Sequence, residues 1–102
     1  MTRAQHRNEA ICAGIYALTK SAPVHQLRSG PPLRVFSSGN LHLSRSEADG
    51  MILLDAWMPG GKVAAFRVTP DGSEIETVNL KVRDLPKWLP ILEFEAAALS
   101  TP

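Results

Sequence analysis

The chain has 102 residues, of which 44% are hydrophobic and 21% charged, with a formal net charge of +1. That is one compact domain, long enough to bury roughly two thirds of its unfolded surface and too short for a second core. The composition excludes an extended disordered chain, and the single Cys12 excludes an internal disulfide, so no oxidising compartment is required.

The charges are unevenly placed. Up to residue 45, Arg3, Arg7, Lys20, Arg28, Arg34 and Arg45 face one acid, Glu9; beyond it five cations meet nine carboxylates. Such asymmetry fits a basic surface for nucleic acid or acidic lipid, or halves that pair within the fold or across a dimer. Arg3 and Arg7 precede a weakly apolar run at 10–18, as in a secretory leader. Glu9, Gly14 and the lack of a small-x-small cleavage pattern argue against one. No run approaches the ~20 apolar residues of a membrane span, and a cytoplasmic location is expected.

Residues 3–19 favour helix, with Ile11, Ile15 and Leu18 on one stripe and Ala10, Gly14 and Ala17 forming a strip of small side chains beside it. A helix apolar around most of its girth is expected to be buried on more than one side, and the small strip lets a second subunit approach. Residues 20–32 hold three prolines and no periodicity, and read as a connector.

From residue 33 short alternating runs are separated by turn signals. Gly39-Asn40 and Asp49-Gly50 read as two-residue hairpin loops, while Pro59-Gly60-Gly61 and Asp71-Gly72-Ser73 read as three-residue loops. These loops predict Phe36 opposite Leu43, Leu43 opposite Ala56, Ala56 opposite Ala64, and Phe66 opposite Val78. One face then collects a core that includes Leu41, Leu54, Met58, Phe66, Val68, Val78, Leu80 and Val82. The other is mixed, with Val35, His42, Leu53, Asp55, Trp57, Val63, Ala65, Arg67, Lys81 and Arg83. Asp84 caps a helix at about 85–99 with Pro86 in its first turn, and Pro90 disfavours helical geometry at Leu89. Ile91, Phe94 and Ala98 give this helix an apolar stripe beyond the one a sheet would cover. The expected fold is therefore α+β: a five-stranded antiparallel meander over about 33–83 between an N-terminal and a C-terminal helix. A homodimer is expected through Ala10, Gly14, Ala17, Ile91, Phe94 and Ala98.

No catalytic set assembles. His6, Cys12, His25 and His42 lack metal-ligand spacing, there is no G-x-S-x-G elbow, and the glycine pairs sit at hairpin ends, so neither metal, cofactor nor enzyme is expected. Asp55 is placed to pair with Arg67 more readily than to act as a base. The mixed face is the better candidate: Trp57 and His42 offer stacking surfaces, and Arg67, Lys81 and Arg83 offer cations, the combination that binds single strands without reading sequence.

The run Leu41-His-Leu-Ser-Arg-Ser-Glu-Ala-Asp-Gly-Met-Ile-Leu-Leu-Asp-Ala-Trp57, with Val78-Asn-Leu-Lys-Val-Arg-Asp-Leu-Pro-Lys-Trp-Leu-Pro-Ile-Leu92 after two hairpins, resembles the positive cofactor four family of single-stranded-DNA-binding coactivators. The resemblance covers about residues 41–99 and lies mainly in element order, four strands then a helix, with an acid before an aromatic. It implies a dimer that binds single-stranded DNA. Where that family has a basic segment leading into its last strand, this chain has the acidic Ser73-Glu74-Ile75-Glu76. Two function classes follow: a noncatalytic module for single-stranded nucleic acid, and a dimeric protein-interaction module, an adaptor or inhibitor, that uses the apolar helix surfaces.

Overall fold

The structure is a computed structural model that describes residues 3–26, 28, 30, 32–81 and 90, with side chains from Asn8 onward. Helix α1 (Arg3–Thr19) precedes strands β1 (Val24–His25), β2 (Leu33–Ser38), β3 (Leu41–Ala48), β4 (Met51–Met58), β5 (Gly61–Val68) and β6 (Ile75–Leu80). The strands form one sheet in sequence order, each antiparallel to the next. This is the expected α+β meander with one more strand: the sheet has six strands, not five. Apart from Pro90, the expected C-terminal helix at 85–99, with Ile91, Phe94 and Ala98, lies outside the described residues, as do Val82 and Arg83.

The added strand comes from the proline-rich connector. Val24 pairs with Arg34 and His25 with Leu33, and the Val35 amide donates to the Pro23 carbonyl at 3.0 Å. A proline has no N–H to give but still accepts, which suits it to the start of an edge strand. Two residues are too few to show an alternating pattern.

α1 packs on β2, β3 and β4 and touches β6. It buries Ile11, Cys12, Ile15, Leu18 and Thr19 against Leu41, Leu43, Leu54, Ala56, Phe66 and Val68. Thr19 is fully buried, and its hydroxyl donates back to the Ile15 carbonyl at 2.7 Å, so it carries no unmet polar group into the core. Burial pushes the Cys12 thiol up to about 11, as expected for a small core residue. Among the described side chains α1 is buried on one side: Ala10 and Ala17 are exposed and Gly14 is half-buried, so the small-residue strip lies toward the outer side.

The registers from β2 to β4 match those that the turn residues dictate, including Phe36 with Leu43 and Leu43 with Ala56. At Asp49-Gly50 both residues have positive φ, 54° and 74°, the mirror-image turn whose twist matches a hairpin. The next two connections differ. Pro59-Gly60 is a two-residue loop, with Met58 opposite Gly61 and Trp57 opposite Lys62, while Ala56 is still opposite Ala64. Val63 is therefore an extra residue, a bulge on β5. It turns inward to 3% exposure and joins the core instead of the mixed face. A second bulge lies on β6, where Ala65 pairs with Asn79 but Phe66 pairs with Thr77. Val78 is the unpaired residue and points to solvent at 57% exposure, so it is not the core residue that simple alternation predicts. The last loop is also longer than three residues, since Val68 pairs with Ile75.

That loop is closed by its own side chains. Asp71 Oδ1 accepts from the Thr69 hydroxyl at 2.7 Å, the Ser73 amide at 3.0 Å and the Ser73 hydroxyl at 2.7 Å. The Ser73 amide first, then the Thr69 and Ser73 hydroxyls, hold the Asp71 carboxyl down to about 2. A carboxylate with a depressed folded-state value stabilises the fold above its unfolded value near 3.8 and loses that contribution as pH falls toward 2. An NMR carboxyl titration should place Asp71 near 2, and Ser73→Ala should move it upward toward 3.8. In the core, Leu54→Ala should cost about 2–5 kcal/mol in urea denaturation. The bulge residue gives the contrast, because Val78→Ala should stay within about 0.5 kcal/mol.

Candidate binding face around Trp57

The sheet face away from α1 carries His42, Ser44, Leu53, Asp55, Trp57, Ala65 and Arg67. The β3–β4 register sets His42 directly opposite Trp57. Ser37 is opposite His42 on the other side, and its hydroxyl shares a 2.8 Å hydrogen bond with His42 Nδ1. Trp57 is 41% exposed, a large share for an indole.

The bulge at Val63 decides what lies over that ring. A three-residue loop would put Lys62 opposite Met58, on the core side; the two-residue Pro59-Gly60 loop puts it opposite Trp57. Its Nζ lies 4.9 Å from the Trp57 ring centroid and 3.5 Å from Asp55 Oδ1. Lys62 is thus held between an indole face and a carboxylate. At this degree of exposure each contact is worth on the order of 0.5–1 kcal/mol, so thermal motion or a competing ligand can displace the ammonium. Asp55 accordingly pairs with Lys62 rather than with Arg67, whose guanidinium reaches Glu76 at 3.9 Å.

The five residues expected to form a nucleic-acid surface separate into groups. His42 and Trp57 are brought together. Lys81 is exposed and follows β6, its amide donating to the Val63 carbonyl at 2.8 Å, so it flanks the Lys62 end of β5. Arg67 shares the face but stands roughly 15 Å farther along β5, given the rise per residue of a strand. Arg83 lies outside the described residues. Lys62 is the residue that alternation misses; the signal for it is Pro59-Gly60, a pair suited to a two-residue turn in which only the second residue has positive φ, here 103°. The face is also less open than its composition implies: Val63 has left it for the core, Ala65 is buried, and Val35 and Leu53 are half-buried.

No protein-family model, curated protein or solved structure matches the chain. No helix among the described residues is long and apolar enough to cross a membrane.

The Lys62 contact is testable by fluorescence. In a Trp88→Phe background, which leaves Trp57 the sole indole, Lys62→Ala should raise the acrylamide quenching constant of Trp57 severalfold. An unchanged constant would mean that the ammonium does not shield the ring.

Proposed function

We propose that this chain is a small noncatalytic module that binds single-stranded nucleic acid through the Trp57 face. One observation carries the reading: an exposed indole stands cross-strand from a histidine, and a lysine sits on its ring. A base entering this site stacks on Trp57, worth about 1–3 kcal/mol, and uses His42 as a second planar surface. The displaced Lys62 ammonium is then free to meet a phosphate, together with Lys81. Arg67 can join only by exchanging Glu76 for a phosphate, so it contributes farther along the strand. The resemblance to the positive cofactor four family in strand order supports the same ligand. In this reading the protein works in the cytoplasm as a homodimer.

The second reading, a protein-interaction module, is supported by the outward position of Ala10 and Ala17 on α1. A close helix contact between copies there would use side chains too small to keep backbones apart.

Salt separates the two. With about three phosphates neutralised, the logarithm of affinity for a labelled single-stranded oligonucleotide should fall with log salt at a slope near −2. Trp57→Ala should weaken binding by about tenfold or more, and Lys81→Ala should reduce the slope. Absence of binding at low salt, or binding that both variants leave untouched, would end the nucleic-acid reading.

A further inference from the structure

The sheet face under α1 holds a second constellation, separate from Trp57. Arg34 on β2 and Arg45 on β3 are direct cross-strand partners. Like charges placed opposite each other weaken a strand pair unless something neutralises them. Among the described residues the ion pairs are Lys62 with Asp55 and Arg67 with Glu76, so no carboxylate there lies within 4.0 Å of either arginine.

Both guanidinium groups are nevertheless held in place. Arg34 Nη1 donates to the Ala22 carbonyl, just past the end of α1, at 2.8 Å. The Arg45 guanidinium lies over the Tyr16 ring, 4.7 Å from its centroid, and its Nη1 is buried with no hydrogen-bond partner. Among the described residues this half-buried cation meets a ring quadrupole and no carboxylate, which leaves part of its desolvation cost uncompensated there. The two arginines line one cavity of about 360 Å³ together with the apolar Val24, Pro32 and Leu33 and the polar Ser46 and Glu47. That volume is at the small end of ligand sites, and a few polar groups set in apolar lining is their usual chemistry.

We propose that this cavity binds a small organic carboxylate, its oxyanion lying between Arg34 and Arg45 and its apolar body against Val24, Pro32 and Leu33. The planar guanidinium fork matches a carboxylate in geometry. Glu47 in the lining favours a single negative charge over a doubly charged phosphate. Arg34 and Arg45 are on the opposite side of the sheet from Trp57, and the proposal does not depend on the nucleic-acid reading.

Benzoate and inorganic phosphate, each titrated into the full-length chain, are the probes, followed by NMR of the arginine Nε–H and Tyr16 ring signals. Benzoate should give saturable shifts at Arg34, Arg45 and Tyr16 with a dissociation constant of a few millimolar or below. Arg34→Gln, which keeps the Arg45–Tyr16 contact, should weaken benzoate at least tenfold, and Arg45→Gln likewise if it folds. Glu47→Gln should tighten binding severalfold. No saturable shift by about 20 mM benzoate, or an affinity unchanged in Arg34→Gln, would overturn the site. Phosphate binding as tightly as benzoate would overturn the organic-carboxylate assignment, since the apolar wall would then contribute nothing.

Discussion

Burial of a single sheet face under α1 is the constraint on which the other features depend. Strand side chains alternate, so once Leu41, Leu43, Leu54, Ala56 and Phe66 are committed to Ile11, Ile15 and Leu18, a slip of one residue in any pairing would turn an entire strand's apolar set to the wrong side. The core therefore fixes register, and register fixes which residues share the far face. His42 and Trp57 are neighbours because Leu43 and Ala56 must be.

The two irregularities follow from the same constraint. The Pro59-Gly60 turn advances the pairing by one residue, and without compensation Ala64 and Phe66 would leave the core. An extra residue at Val63 absorbs the step, and because valine is apolar it can itself turn inward. The price is local, confined to one skipped ladder position whose carbonyl is taken up by the Lys81 amide. The effect on the far face is larger than that on the core, since it brings an ammonium onto an indole.

Much of this was legible in the residues. Helix α1, the hairpins at Gly39-Asn40 and Asp49-Gly50, and the core pairs from Phe36 to Ala64 follow from apolar spacing and turn chemistry, which are local signals. The bulges at Val63 and Val78 were not, because a bulge is defined by a partner strand and leaves no mark in its own sequence. β1 was hidden for a related reason: Val24 and His25 acquire strand geometry only from Arg34 and Leu33. The site shows the same division. His42 beside Trp57 was readable, whereas unbroken alternation leaves Lys62 off the mixed face and sets Arg67 beside Asp55. The Arg34–Arg45 pairing was readable too, but the Tyr16 ring and the cavity beside it exist only once α1 is docked.

The bulge at Val78 has a consequence for how the protein behaves in a crowd of its own copies. β6 closes one side of the sheet among the described residues, and a straight, regular edge there would be a template for a strand from another molecule. The skipped position breaks the even spacing of donors and acceptors that such a guest strand would need. The exposed Glu76 adds a charge that a second copy would bring against its own. The same irregularity that leaves a valine in water thus removes the regular ladder on which open-ended sheet growth depends.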